Sequence, residues 1–440
     1  MKVTYLALVF SLISSNIFAQ IDIGGKVKNK VNQRIERKTD QAIDKALDET
    51  EQGAKDAAKG GSKEKKPTNK QGNDSADGPV ESENTGSAGA AKPSLKTYGK
   101  FDFVPGERVI VEDNFSQVEL GDFPADWNTN SGGEIVTVDG MEGKWLAISK
   151  EGVFIPDYIT DLPENFTLQY DVICNEDYSY YSDIFTATFV ATANRQKLGD
   201  FGRFSKPDRG VRVGMHPTSA GGGDGRAHID TWDSERNSIV QNEVSTTQFS
   251  AKSKNHTRVS IWRQKQRLRV YFNEEKVLDI PRAFDATAKY NTLVIGGGGM
   301  HQAQDRILIS NIRLAVGAPD TRNKLITEGR FVTHGILFDS GSDKLKAESY
   351  GALKDIANVL IENPTVKVKI IGHTDSDGDD SANMELSKKR SQAVKEALSK
   401  EFAIDSSRME TDGKGESMPS GGNDTAAGKA NNRRVEFVKL

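Results

Sequence analysis

The side chains in this sequence best suited to gripping a small charged group are Asp375 and Arg390, set on either side of a short polar stretch near the C-terminus. A carboxylate and a guanidinium held on neighbouring elements can take a ligand that carries both an ammonium and a carboxylate, an amino-acid-like end group. The flanking pattern predicts what holds them. Val366-Lys367-Val368-Lys369-Ile370 alternates apolar and charged residues with the period of a half-buried strand. Residues 372–381 form a polar loop, which puts Asp375 just past the strand end. The period then lengthens. Leu386, Ala393, Val394, Ala397 and Leu398 fall on one helical face, and Lys388, Lys389, Lys395 and Glu396 on the other, with Arg390 in the early turns. Taken singly, Asp375 also suits a strand-end turn in which its carboxylate accepts a backbone N–H.

Gly372-His373-Thr374-Asp375, then Asn383, Leu386-Ser387 and Arg390, then Gly413-Lys414-Gly415-Glu416 and Asn432-Arg433-Arg434-Val435-Glu436 occur in an order that resembles the C-terminal domain of the OmpA family, which includes Pal lipoproteins and the periplasmic part of MotB. Ile336-Leu337-Phe338-Asp339-Ser340-Gly341-Ser342 with Leu345 resembles the opening strand and turn of that family. The resemblance spans residues 328–440. It implies a βαβαβ-type α/β fold that binds peptidoglycan without cutting it. On this resemblance Asp375 takes the ammonium of the diaminopimelate in the stem peptide and Arg390 its carboxylate. Thr374, Asn383, Leu386 and Arg434 line or brace the pocket, and Phe338 and Asp339 shape its other wall. Arg434 equally suits a structural ion pair beside the last strand. The loop 375–380 is more acidic than the family needs. Its extra carboxylates would favour the cationic end of the ligand or a metal ion, although Gly378 is misplaced for an EF-hand loop and no Glu closes it.

A chain of 440 residues has room for two or three domains. The net charge of -4 gives no nucleic-acid signal. The single cysteine, Cys174, excludes an intramolecular disulfide and sits in a strand-like run as a small buried residue. Residues 1–19 read as a signal peptide: a positive start at Lys2, an apolar run over 5–13, and a small-residue site for cleavage after Ala19. No cysteine lies at that cleavage site, so a lipoprotein anchor is not expected. The expectation is an exported, periplasmic protein of a Gram-negative envelope, associated with the outer membrane and cell wall.

Residues 20–58 carry a thin stripe (Val27, Val31, Ile35, Ala42, Ile43, Ala46, Leu47) among charges of both signs. That predicts an amphipathic helix for a coiled-coil seam or a partner, or else a solvated helix. Residues 59–97 have almost no large apolar side chain, the composition of a disordered linker. Residues 98–317 predict an all-β, jelly-roll-like sandwich, with strands at 134–138, 145–149, 166–174, 184–191, 210–215, 258–263, 267–273, 276–280, 292–295 and 306–315. Leu268, Val270 and Phe272 are expected to pack while Arg267, Arg269 and Tyr271 meet water, with a turn over 273–276. Asp113-Asn114-Phe115-Ser116, the strand pair around Trp262 and Tyr271-Phe272, and the closing strand Ile309-Ser310-Asn311-Ile312-Arg313 resemble concanavalin A-like, laminin-G-type sandwiches. Members of that fold often bind glycans, so the resemblance implies either a glycan ligand or an adhesion or scaffold role with no small ligand. Thr231-Trp232-Asp233, the glycine-rich 221–225 and Gly296 to Gly299 are expected as loops that could border a sugar or calcium site. A membrane β-barrel fits poorly, because the candidate strands are short and their connections charged.

In the C-terminal domain, 318–440, a helix is expected over 349–361 with Leu353, Ile356, Ala357, Leu360 and Ile361 on its core face, stopped by Asn363-Pro364. Strands are expected at 408–412 and 433–439, with a loop over 416–429. The six histidines have no metal-ligand spacing, and no Gly-x-Ser-x-Gly elbow, phosphate loop or dinucleotide fingerprint occurs. No cofactor or catalytic residue is expected. The function expected is a non-catalytic anchor that binds peptidoglycan and links the outer membrane or a periplasmic protein partner to the wall. The alternative is a wall-tethered protein that binds or cleaves a glycan through its sandwich.

Overall fold

The computed structural model describes residues 101–440 apart from 203–204, 221–222 and 318–319. The expected signal peptide, amphipathic helix and linker lie outside the described residues. No helix among the described residues is long and apolar enough to cross a membrane.

Fifteen strands build the sandwich: β1 (Arg108–Asp113), β2 (Trp127–Thr129), β3 (Gly133–Val136), β4 (Trp145–Ile148), β5 (Gly152–Pro156), β6 (Asn165–Cys174), β7 (Phe185–Ala191), β8 (Arg209–His216), β9 (Gly225–Trp232), β10 (Ser238–Thr246), β11 (His256–Gln264), β12 (Arg267–Phe272), β13 (Glu275–Ile280), β14 (Thr292–Gly297) and β15 (Ile307–Val316). One sheet runs β13-β12-β11-β6-β15-β4-β3 with β1 also on β15; the other runs β10-β9-β8-β7-β14-β5-β2. Period-two alternation makes the core. Phe166, Leu168, Tyr170, Val172 and Cys174 of β6 and Leu268, Val270 and Phe272 of β12 share one buried cluster with Phe185, Ala187 and Phe189 of β7 and Val211, Val213 and Met215 of β8. Each buried Val, Leu, Phe or Met of this set contributes roughly 1.5–3 kcal/mol of burial, against roughly 0–1 kcal/mol for an exposed ion pair. The inter-sheet layer therefore dominates the stability of the sandwich.

Several local expectations are corrected. Tyr271 is fully buried, because Phe101 and Phe103 pack edge-on against it and Asp102 accepts its hydroxyl at 2.9 Å. A second layer covers a strand face that alternation alone assigns to water. Thr231 and Trp232 end β9 and are buried, and Gly296 and Gly297 belong to β14, so neither is a mobile loop. Strands β1, β2, β5, β9 and β10 were not anticipated; β10 is largely exposed and shows little apolar alternation.

The C-terminal domain follows as β16 (Arg330–Thr333), α1 (Tyr350–Glu362), β17 (Val368–Gly372), α2 (Asp380–Phe402), β18 (Met409–Gly413), α3 (Ala426–Asn432) and β19 (Val435–Lys439). Its sheet order is β16-β19-β17-β18, with β17 and β18 parallel and β19 antiparallel to both its neighbours. Leu353, Ile356 and Leu360 of α1 meet Val368, Ile370, Val394, Leu398 and Phe437 in one core. Ile361 is exposed rather than inward, and Val359 takes a core position. The expected loop over 416–429 ends in α3, capped by Thr425, whose Oγ1 accepts from Gly428 N at 3.0 Å. The opening strand is β16, and Phe338 pairs only through an isolated bridge to Leu345.

The two domains touch directly. Asn431 of α3 accepts from Val109 N at 3.0 Å and donates to Val109 O at 2.8 Å on β1. Lys324 pairs with Glu107 at 2.6 Å. Gly351 at the start of α1 lies so close to Phe103 that a Cβ there would sit 2.0 Å from its carbonyl oxygen.

Candidate functional site

Three glycines set the position of the loop after β17. A Cβ on Gly372 would come within 2.3 Å of Ser387 O, and one on Gly413 within 2.4 Å of Ser387 Oγ. Lacking side chains, the ends of β17 and β18 let α2 lie directly on them. The helix face they meet is polar and small: Asn383, Ser387 and Ser391 are buried there, while Leu386 and Ala393 are only half-buried. Ser387 Oγ accepts from Gly415 N at 2.9 Å. Gly415, with φ near 50°, in turn accepts from Thr374 N at 2.9 Å. His373 N donates to Arg434 O at 3.0 Å. The amide of Asn383 donates to Asp375 O, Asp377 O and Glu416 Oε2 at 3.3, 3.0 and 2.6 Å. Thr374 and Asn383 thus hold the loop by backbone and amide bonds, and Asp375 is fixed at its start.

The acidic residues of the loop are put to local use. Asp379 caps α2, accepting from Ser381 N and Ala382 N. Asp377 pairs with Lys429 at 2.7 Å. Asp380 lies in the first turn of α2, where the helix dipole favours a negative charge.

Arg390 projects from α2 over the ring of Phe338, its guanidinium carbon 4.9 Å from the centroid. Its Nε donates to Ser342 O at 2.9 Å, and its Nη groups have no protein acceptor among the described residues. Burial lowers the pKa of this guanidinium, the nearby Asp375 carboxylate opposes that push, and Arg433 adds to it. Asp375 is buried, and its Oδ2 lies 2.5 Å from Nη1 of Arg433. A small cavity of about 80 Å³ is walled by Phe338, His373, Arg390, Arg433 and Arg434, and by Arg313 of β15. Asp375 joins this cavity through Arg433.

Arg434 stands in a different setting. It is buried, donates to Glu436 Oε1 from Nε and Nη2 at 3.2 and 2.9 Å, and gives a further bond to Met418 O at 3.0 Å. Glu436 also receives Arg330 at 2.7 Å and lies 3.2 Å from His373 Nε2. Burial alone would raise the Glu436 pKa, but His373, Arg330 and Arg434 together hold it down at about 2. This is a closed ion cluster. Asp339 pairs with Lys344 at 3.2 Å, outside the cavity wall.

The structure therefore gathers Asp375, Arg390, Phe338 and Arg434 at or beside one cavity. It uses Thr374 and Asn383 as loop braces, and leaves Leu386 and Asp339 off the cavity wall. Arg433 and Arg313 are the residues that sequence reasoning passed over. Arg433 and Arg434 are adjacent, so in extended chain they face opposite sides. Which of them reaches Asp375 depends on a strand parity that the dipeptide itself does not reveal.

Residues 337–433 match the OmpA family. Outer membrane porin F of Pseudomonas aeruginosa is 40% identical over 101 residues, covering 23% of this chain and 29% of that protein. Probable lipoprotein YiaD of Escherichia coli is 44% identical over 105 residues, 24% of this chain and 48% of that protein. The chain thus spans less than half the length of these two relatives. Putative lipoprotein YfiB of Escherichia coli is 36% identical over 107 residues, 24% of this chain and 67% of that protein. Through this C-terminal OmpA-like domain, joined to a two-sheet β-sandwich, the chain belongs to the OmpA family.

Proposed function

We propose that the protein is a non-catalytic cell-envelope anchor whose OmpA-like domain binds peptidoglycan through the diaminopimelate of the stem peptide. Asp375 takes the ligand ammonium and Arg390 its carboxylate. The observation that carries this reading is the state of Arg390: a half-buried guanidinium, oriented by Ser342 O and Phe338, with Nη donors that no protein acceptor satisfies among the described residues. A planar pair of donors so held suits a carboxylate. Asp375 sits within electrostatic reach and supplies the opposite charge. Thr374 and Asn383 support the pair by fixing the loop, and Phe338 forms the wall on which Arg390 rests. Binding occurs in the periplasm and links the wall to the outer membrane or an envelope partner.

Calorimetric titration of the full chain with a diaminopimelate-containing muropeptide tests the reading. Removing one partner of a desolvated charge pair costs about 2–5 kcal/mol of binding. Asp375→Ala or Arg390→Ala is therefore expected to weaken binding by thirtyfold or more (about 2 kcal/mol, from the tenfold-per-1.4 kcal/mol relation) and to abolish pull-down with sacculi. Wild-type affinity in both variants would overturn it.

A second reading, glycan binding by the sandwich, is favoured by one exposed ring cluster. Tyr181 is 75% exposed, 5.5 Å from Tyr180 and 5.2 Å from His301 between ring centroids. Beside it Asp183 Oδ2 accepts from Gly299 N at 2.9 Å. Exposed ring faces next to fixed polar groups suit a sugar. Loss of retention on polysaccharide columns in Tyr181→Ala would support it, and absence of retention in wild type would end it.

A further inference from the structure

We propose that the ligand site of the OmpA-like domain is completed by the sandwich. Arg313 of β15 supplies a second guanidinium for the ligand carboxylate, and Glu112 of β1 receives Arg433 when the ligand ammonium takes its place on Asp375. This rests on the reading of Asp375 and Arg390 given above.

A β-bulge in β15 sets the direction of Arg313. On β15, Ile307 and Ile309 face the sandwich core, and continued alternation would send residue 313 there as well. Instead the register with β6 shifts between Ser310 and Arg313, Asn311 adopts a positive φ of 51°, and Ile312 and Leu314 take the core positions. Arg313 is thereby turned off the core and onto the face that meets the C-terminal domain. Asn is well suited to the left-handed conformation that makes this turn. The irregularity in β1 between Val109 and Val111 does the matching thing, and Glu112 lies directly across from Arg313 in the ladder.

The resulting guanidinium is poorly satisfied. Arg313 is 9% exposed, yet its only hydrogen bond among the described residues is a long one, 3.4 Å, from Nη2 to His334 O. Its Nε lies 3.8 Å from Glu112 Oε2, and both atoms are buried without a hydrogen-bond partner. Buried polar groups are normally bonded, and a buried arginine with most donors idle requires an acceptor. Arg313 lines the same cavity as Arg390, Arg433 and Phe338. Arginines that converge on a cavity from two domains suit a carboxylate better than any neutral group. Arg433 bridges the domains, 2.5 Å from Asp375 and 3.7 Å from Glu112. An incoming ammonium can therefore displace Arg433 from Asp375 without stranding its charge, because Glu112 already stands on its other side.

The test titrates the full chain with the muropeptide in two forms, one with the free carboxylate of its diaminopimelate and one with that group converted to the carboxamide. Arg313→Gln is expected to weaken the carboxylate form by tenfold or more and the carboxamide form by less than twofold. Equal affinity of Arg313→Gln and wild type for the carboxylate form, with Asp375→Ala still defective, would overturn this inference and leave the underlying reading standing. Equal losses for both forms would also overturn it, since Arg313 would then act through domain docking alone. Failure of wild type to bind, or retention in both Asp375→Ala and Arg390→Ala, would instead remove the underlying reading. Should Arg313→Gln not fold, Arg313→Lys keeps the charge and loses the planar fork. It is expected to weaken the carboxylate form by threefold or more and leave the carboxamide form unchanged, and wild-type affinity for the carboxylate form overturns the assignment.

Discussion

Two arginine–carboxylate groups lie side by side in the OmpA-like domain and are built on opposite principles. In the first, Arg434 and Glu436 are both nearly inaccessible, and Arg330 and His373 add their polar atoms to the same carboxylate. In the second, Asp375 and Arg390 are held apart on a loop and a helix, and Arg390 keeps donors with no protein acceptor among the described residues. The first carboxylate gains little from a ligand, because Arg434 and Arg330 already donate to it. In the second group, Ser342 O and the Phe338 ring hold Arg390 without engaging its Nη donors, while Asp375 is already paired with Arg433 at 2.5 Å. The difference separates an arginine bonded into the domain's own ion cluster from one whose Nη donors stay open.

Truncating one arginine of each kind should give the largest effects. Arg434→Ala leaves a buried Glu436 short of partners and is expected to cost about 3–5 kcal/mol of stability. Arg390→Ala is expected to cost about 1 kcal/mol, the value of one modest hydrogen bond, while removing binding. All four tryptophans (127, 145, 232, 262) belong to the sandwich. Their fluorescence therefore follows that domain, and hydrogen exchange at the β17 amides reads the C-terminal one. Comparable stability losses in the two variants would erase the distinction.

Gly372→Ala should come next. The new methyl group meets Ser387 O, a backbone atom that cannot step aside, and an overpacked contact of this kind costs about 1–3 kcal/mol. Because α2 must lift, Arg390 moves with it, so affinity is expected to fall although no ligand-facing side chain has changed. Unfolding curves and titration of the same variant check both effects.

The two settings also differ in pH dependence. The Glu436 pKa is held at about 2, below its ordinary 4.5, so the folded state binds fewer protons than the unfolded chain between those values. Its contribution is complete above pH 4.5 and is lost as pH falls toward 2. His334, at the contact with the sandwich, is lowered from 6.5 to about 4, first by burial and then by Arg313. The neutral ring is the one that fits, so its contribution is complete above pH 6.5 and fades as pH falls to 4. Protection of β1 amides is expected to drop in that upper window and of β17 amides in the lower one. The smallest effect belongs to Asp377→Ala, whose pair with Lys429 is largely solvated. A stability change within about 0.5 kcal/mol is expected, with affinity altered less than twofold in the same titration.

The strand–loop–helix around Asp375 was legible because each period is long and uninterrupted. The missed pieces have physical reasons. Helix α3 hides behind Gly428, a poor helix former that is required because a Cβ there would sit 1.8 Å from Gly422 O. Strand β10 is an edge strand with little buried surface and so carries little apolar alternation. Tyr271 and Ile361 follow their local periods, and their true exposure is set by what packs on them from elsewhere.

By itself the sequence determined the periodic elements, the loop chemistry and the family to which the C-terminal domain belongs, because these are written in neighbouring residues. Long-range packing sets which arginine is saturated and which is open, and a bulge in the sandwich turns Arg313 toward the cavity it shares with Arg390 and Arg433. Side-chain satisfaction depends on partners distant in the chain, and a one-residue shift in strand parity reverses the direction in which a charge points.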